Sequence, residues 1–380
     1  MAEILEQALI TKEGLAELRS RIGSYYLCRY GNKEVTRDSI RHFARGMGDP
    51  NPLWQDEEYA RKTCWGGLIA PPTILYSVIY PTGMRVGGLP GVGSFHSGNH
   101  WEWHRPIRVG DVITGTYRCY DVVEKPSKFG GRHVNVYGET KYYNQHDEPV
   151  ATAIGWSIRA ERGTSQKKGK YSAIKLHKSS DEEIDKTYRA TESVQLRGKE
   201  PRYWEDVQEG EELPGVVKGP YSPMEIIAWK SGWHVDMWGL GKANELRVRE
   251  LMKHPAFSFR DPKTGAIQTA EAAHIDDEVA KSTAVPSGYD LGSQRNAWMA
   301  QVLTNWMGDD GFLKKITASY RRFNLTGDTQ FIKAKVTRTY REGEEFLVDV
   351  EVWCENQRGE VTAPGSATVM LPSRQGKSAR

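Results

Sequence analysis

Two long stretches of the chain repeat one pattern. RPIRVGDVITGTYRCYDVVEK leads through the Gly-rich turn KFGGRH into VNVYGETKYYNQHDEPVATAIGWSI, and in the second half RRFNLTGDTQFIKAKVTRTYREG leads into EEFLVDVEVWCENQRGEVTAPGSATVML. Gly110-Asp111 and Asn144-Gln145 correspond to Gly327-Asp328 and Asn356-Gln357. The separation is 217 residues at the first landmark (110 to 327) and 212 at the second (144 to 356), the difference a shorter second hairpin produces. Such self-similarity decides the architecture before any local reading does. Both stretches alternate apolar and polar residues and are rich in Val, Ile, Thr and Tyr, which predicts long antiparallel strands joined by hairpins. A helical stretch precedes each meander, Pro71 to about Tyr80 in copy one and Ser293 to Trp306 in copy two; the second puts Trp298, Val302 and Asn305-Trp306 on roughly one face. One apolar helix against a curved antiparallel sheet, built twice, is an α+β fold.

At 380 residues the chain is long enough for two cores. The expected division is a first domain over 1–160, a linker over 161–200 and a second domain over 201–380. The linker is polar and charged, and Ser180-Asp181-Glu182-Glu183 has the spacing of a capping box, so a helix is expected to start there. Lys and Arg number 52 against 49 Asp and Glu, mixed along the chain, which argues against a nucleic-acid partner. Cys28, Cys64, Cys119 and Cys354 form no CxxC pair, so neither zinc nor a disulfide framework is indicated and a cytoplasmic setting is expected. The opening MAEILEQALITKEGLAELRSRIG reads as an amphipathic helix rather than an export signal, and no run of about 18 apolar residues suggests a membrane span. There is no P-loop, GxGxxG after a strand, GxSxG or HExxH, so no cofactor and no metal are expected. GGLPGVGS near Gly87 reads as a loop. Asp309-Asp310-Gly311 reads as a turn, and His96, His100 and His104 recur at strand spacing along one sheet face, with a metal trio or a tunnel lining as the alternatives.

The densest local signal is IRHFARGMGDPNPLWQDEEYARKTCWGGLIAPP in copy one. Read locally, Asp49 and Asn51 cap backbone groups and the prolines fix a turn. GDPNPLW followed by GGLIAPP, with RPIRVGD downstream, also resembles the signature of the MaoC-like, or R-specific, enoyl-CoA hydratases and the related FAS1-like dehydratases, over about Val35 to Val123. The IAPP form is similar to the N-terminal half of double hot-dog acyl dehydratases. That resemblance implies two hot-dog domains, each a curved antiparallel sheet wrapped on a central helix. It also implies an Asp and a His converging on one water that adds across a trans-2-enoyl thioester.

The sequence departs from the family pattern where the histidine belongs, at Trp54, whose indole has no basic nitrogen. Copy one is therefore expected to be a poor hydratase site, and in such double hot-dogs its altered helix leaves room for a bulky acyl group. In copy two the same register places EAAH of QTAEAAHIDDEVAK opposite NPLW, so His274 takes the histidine position. Eighteen residues on stands Gly292, matching the glycine at the family's helix start, where the same step in copy one reaches Pro72. A free N–H at Gly292, at the positive end of a helix, suits a thioester oxygen gaining negative charge. Thr269 stands where the family has its Asp, and Glu271 where it has Asn. The partner of His274 is then Glu271, Asp276 or Asp277, or Asp290 from YDLG, with a carboxylate inside AEAAHIDDE favoured; Asp49 completes the catalytic candidates. Gly292, Tyr289, Asp290, Asn305, Asn51 and Trp54 are the candidate substrate contacts.

The resemblance implies a hydro-lyase acting on a 2-enoyl-CoA or 3-hydroxyacyl-CoA thioester, with a bulky acyl group. Because both dyads are broken, a non-catalytic acyl-CoA-binding subunit of a hetero-oligomeric hot-dog hydratase is the alternative from another class, and a hot-dog thioesterase a third. A tandem hot-dog already holds the pseudo-dimer that single-copy relatives assemble, so a homodimer, or a hetero-oligomer with another hot-dog protein, is compatible but not required.

Overall fold

A computed structural model of the protein describes residues 8–126, 132–161, 174–233, 248–249, 251–252, 258–261 and 263–376. Helix α1 (Lys12–Ser20), the short strand β1 (Tyr25–Tyr26) and helix α2 (Arg37–Met47) are followed by two small helices, α3 (Pro52–Gln55) and α4 (Glu57–Arg61). Strands β2 (Gly93–Trp103), β3 (Thr114–Pro126), β4 (Arg132–Tyr143) and β5 (Pro149–Ala160) complete the first half. Helix α5 (Asp181–Glu192) begins at the expected capping box, with Ser180 Oγ accepting from Glu183 N at 3.2 Å and the Glu183 carboxylate accepting from Ser180 N at 2.7 Å. The second half holds β6 (Glu212–Lys218), α6 (Pro223–Trp233), a small hairpin of β7 (Ser258–Arg260) and β8 (Ile267–Thr269), α7 (Asp277–Ser282) and α8 (Gly292–Met307). Strands β9 (Phe312–Ser319), β10 (Gln330–Glu342), β11 (Glu345–Asn356) and β12 (Val361–Met370) follow. Of the expected N-terminal helix, residues 1–7 lie outside the described residues.

Apart from the β7–β8 hairpin, the strands form one antiparallel sheet in the order β1-β3-β4-β5-β2-β9-β12-β11-β10-β6. The order reads the same from either end once copies are exchanged, and the halves join where β2 pairs with β9, as in Trp101 opposite Ile316. This is a double hot-dog. The duplication extends to details: the ladder slips between Cys119 and Asp121 in β3 and between Val336 and Arg338 in β10, 217 residues apart (119 to 336), and such bulges bend a sheet. Gly110 and Gly327 share φ 89°, a turn conformation that favours glycine. Gln145 accepts from Val112 N and Gln357 from Thr329 N, both at 3.0 Å, so the Asn-Gln landmark closes the same corner twice. β3 and β4 meet at Pro126 and Arg132, β10 and β11 at Glu342 and Glu345, which accounts for three of the five residues separating the offsets.

The two central helices differ more than the sequence suggests. In copy one only Pro72–Ser77 is helical, and as a 3-10 run rather than a helix to Tyr80. Ile74, Val78 and Ile79 are β-branched, and Pro81 disfavours helical backbone at Tyr80. In copy two, α8 carries Ala, Gln, Met and Leu and runs sixteen residues. It has no exposed face, since every residue from Ser293 to Met307 is buried, including Gln294, Arg295, Asn296, Gln301 and Asn305. A helix wrapped on all sides that still carries so many polar side chains must find partners for them or hold them for another purpose.

Asp309-Asp310 is a turn, as expected, and it clamps the halves: Asp309 Oδ2 accepts from Tyr59 Oη, and its carbonyl from Trp65 Nε1, both at 2.6 Å. His96 and His100 of β2 and His104 just beyond it do not share a face, because the ladder slips between His96 and Gly98. His96 turns inward to Tyr80, while His100 meets Thr317 and His104 is exposed. Among the described residues no group of three His, Cys, Asp or Glu is placed to hold a metal, and no helix is long and apolar enough to cross a membrane.

Candidate active site

His274 ends a 3-10 turn, Ala270–His274, that follows β8. Its Nδ1 lies 2.8 Å from the carbonyl oxygen of Tyr289, and the imidazole packs on the Tyr289 ring with centroids 4.4 Å apart. A carbonyl only accepts, so Nδ1 carries the proton and Nε2 of the neutral ring is left with a lone pair. Burial, with the nearby Lys230 charge, lowers the His274 pKa to about 4, so the ring is neutral at neutral pH. The chain passes close behind it: a Cβ on Gly288 would meet the His274 carbonyl at 2.9 Å, which makes this glycine a packing requirement.

The carboxylates around His274 separate by their partners. Asp276 caps α7, its Oδ1 accepting from Glu278 N at 2.9 Å and Val279 N at 3.2 Å. Asp277 Oδ1 accepts from Ser287 Oγ at 2.7 Å and Gly288 N at 2.8 Å. Asp290 is buried in an ion pair with Arg295 at 2.9 Å and accepts from Asn324 Nδ2 at 3.1 Å, and burial raises its pKa to about 6. These three carboxylates brace the loop through the partners named. Glu271 shares the 3-10 turn with His274 and pairs with Lys230 of α6. Lys230 in turn sits 4.4 Å from the centroid of the Trp233 ring.

Gly292 opens α8, and its first-turn N–H groups have no partner inside the helix. A Cβ there would lie 2.2 Å from the Tyr320 ring, so only glycine fits. Asn305 is thirteen residues further along α8, about 20 Å away at 1.5 Å per residue. Beside the helix start stands Tyr80 from copy one. Its hydroxyl is 2.5 Å from His96 Nδ1 and its ring contacts Trp233 with centroids 4.9 Å apart. Lys230, Trp233, Tyr80 and Tyr320 escaped sequence reasoning because none belongs to the repeated motif.

Copy one shows what became of the other dyad. Trp54 Nε1 donates to Asp49 Oδ2 at 2.9 Å, Asn51 N donates to Asp49 Oδ1 at 3.0 Å, and Asn51 Oδ1 caps α3 through Leu53 N at 3.0 Å. Asp49, Asn51 and Trp54 are all buried and bonded to one another or to backbone. Burial raises the Asp49 pKa. A cavity of about 390 Å³ adjoins this loop, lined by Asp49, Gln55, Lys218 and Gln301 among others. Lys218 there donates to the Met47 and Gly48 carbonyls at 3.0 and 2.9 Å, and burial lowers its pKa to about 8.

The family model for the FAS1-like dehydratase domain region matches residues 21–153. A UPF0336 protein of Streptomyces avermitilis is 33% identical over 126 residues, 32% of this chain and 81% of that relative. A 3-hydroxybutyryl-CoA dehydratase of Methylorubrum extorquens is 30% identical over 81 residues, 21% of this chain and 50% of that relative. Among solved structures, a MaoC-like dehydratase superposes with a TM-score of 0.63 at 18% identity, over 94% of this chain and 99% of the other. A conserved hypothetical protein of Mycobacterium tuberculosis, described as having a double hot-dog fold, superposes with a TM-score of 0.56 at 10% identity, over 95% of this chain and 100% of that one.

Proposed function

We propose a function from one premise: the chain belongs to the MaoC-like hot-dog family of hydratases and dehydratases. The reading is a hydro-lyase that reversibly adds water to a 2-enoyl thioester, most simply a CoA ester, at a site in the C-terminal half. The observation that carries it is the hydrogen bond from His274 Nδ1 to the Tyr289 carbonyl, which leaves Nε2 as a base that stays neutral. In this reading Nε2 takes a proton from water as its oxygen bonds to the β-carbon. The thioester oxygen, gaining charge, accepts from the Gly292 N–H at the start of α8. The α-carbon then takes that proton from the imidazolium, directly or relayed through the ion-paired Glu271 carboxylate. Glu271 is preferred because it shares the 3-10 turn with His274, whereas Asp276 caps α7 and Asp277 bonds Ser287 and Gly288. The 3-10 run that replaces a full helix in copy one supports an acyl group of some bulk between the halves.

Replacing His274 with Ala should abolish the absorbance change at the enoyl bond of a responsive enoyl-CoA while the circular dichroism stays native; unchanged turnover sinks the assignment. One observation favours a second reading, a non-catalytic acyl-CoA-binding subunit: the Tyr320 ring lies directly over Gly292. Purified chain that binds enoyl-CoA esters without hydrating any of them supports that reading instead.

A further inference from the structure

Among the buried polar atoms without hydrogen-bond partners in the described residues, four stand on residues grouped around the start of α8. They are Ser293 Oγ, Asn296 Nδ2, His96 Nε2 and Trp233 Nε1, each inaccessible to solvent. A continuous chain of rings joins them: Trp233 packs on Tyr80 at 4.9 Å between centroids, Tyr80 on His96 at 5.1 Å, and His96 on Tyr320 at 5.2 Å, which covers Gly292. Asn296 enters the same group through Tyr76, whose hydroxyl is 3.0 Å from Asn296 Oδ1. Along α8, Asn296 stands about 6 Å beyond Gly292, one turn deeper than the proposed thioester oxygen.

The chemistry of these atoms is one-sided. An indole N–H only donates. The Tyr80 hydroxyl and His96 Nδ1 share a hydrogen bond, and in the tautomer in which the hydroxyl donates, the neutral His96 ring carries its proton on Nε2 and also donates outward. The Ser293 hydroxyl is able to donate as well, and one head of the Asn296 amide remains unused whichever way it is turned. Glu271, the acidic side chain preferred for the proposed site, is paired with Lys230. A wall built for a plain hydrocarbon chain would leave each of these groups desolvated and unpaired, a lasting penalty.

We propose that the acyl group taken by this site carries an acceptor oxygen, as a ketone or a carboxylate, within about 6 Å of its thioester carbonyl. The proposal rests on the thioester reading of the His274 site, and its test is arranged to separate the two. Three saturated acyl-CoA esters of equal chain length, one plain, one with a keto oxygen and one ending in carboxylate, are titrated onto the full chain by calorimetry. The expected result is that at least one oxygen-bearing ester binds about tenfold or more tighter than the plain ester. Trp233→Phe combined with Ser293→Ala, two changes that keep ring and backbone, should bring that ratio close to one. Equal affinities, a preference for the plain ester, or a ratio unchanged in the double variant overturns the proposal. The relative affinity of the keto and carboxylate esters identifies which oxygen the site takes. Because none of these esters has a double bond, the result does not depend on turnover: a chain that prefers the oxygen-bearing ester yet hydrates no enoyl-CoA overturns the hydratase reading alone.

Discussion

Trp54 Nε1 donates to Asp49 Oδ2 at 2.9 Å, inside a loop where both side chains are buried. The half that kept the family's carboxylate has turned it into a structural acceptor for an indole and a backbone N–H. Asp49→Ala should therefore leave hydration within about threefold of wild type. It strands two buried donors, and each unpaired group costs about 1–3 kcal/mol. A chemical denaturation midpoint that drops while kcat/KM holds is the expected pair of results; a loss of turnover in a folded variant would return Asp49 to the chemistry.

The depressed pKa of His274 sets two pH responses. Because the folded ring ionises at about 4, the acid limb of kcat/KM should fall near pH 4 to 5, well below the usual histidine range. Stability moves the other way from a salt-bridged histidine. The folded pKa lies below the unfolded one, so between about 6.5 and 4 the unfolded chain binds the extra proton, and stability present above 6.5 is lost as pH falls through that window. His96, lowered by burial to about 3, acts in the same sense. His274→Gln should flatten the slope of unfolding free energy near pH 5 by about 1.4 kcal/mol per pH unit, the value for one proton. A slope that stays as steep in His274→Gln means the ring is already charged in the folded chain.

The repeat was legible because its landmarks are backbone requirements: Gly110 and Gly327 need the same positive φ, and Asn144 and Asn356 bind the same tight turns through their side chains. The alignment of Trp54 with His274 was legible for a similar reason. Asp56 and Asp276, also 220 residues apart, cap the next short helix in the same way. Lys230 and Trp233 were not legible, since six residues separate α2 from Trp54 but forty separate α6 from His274, and the copies lose register there. Tyr80 reaches the site only through packing between halves, and Tyr320 by folding back over Gly292 within the second half, neither of which a local pattern records. Proximity in sequence to His274 does not tell Asp276, Asp277 and Asp290 apart, whereas the structure gives them a helix cap, a loop bond and an ion pair with Arg295.

The contrast between Gly292 and its counterpart Pro72 separates the shape of the helix start from its N–H. A Cβ on Gly292 meets the Tyr320 ring at 2.2 Å, so Gly292→Ala alone should destabilise by about 1–3 kcal/mol through overpacking. In a Tyr320→Leu background that clash is relieved and Gly292→Ala should retain the background's activity, because alanine keeps the N–H. Gly292→Pro in the same background also fits, since proline is accepted in the first turn of a helix. It removes the N–H, and kcat should fall by about 10²–10³, the usual loss for one oxyanion donor. Equal activity of the alanine and proline variants in steady-state hydration would exclude this N–H from the reaction.

Glu271 and Lys230 form a pair 5% and 12% exposed, so the two should be strongly coupled. Lys230→Met leaves the Glu271 carboxylate buried without its ammonium, and breaking a buried pair in this way costs about 3–5 kcal/mol. Glu271→Gln should destabilise less, because the amide retains an acceptor for the ammonium. The double variant should recover part of the Lys230→Met loss, as the stranded charge is then gone, and a denaturation cycle over the four proteins measures that recovery. Turnover should follow a different order. If Glu271 returns the proton, Glu271→Gln and the double variant both lose about 10²-fold or more in kcat, the scale of one general acid, with little change in KM. A Glu271→Gln enzyme with wild-type kcat would leave His274 to carry both proton transfers.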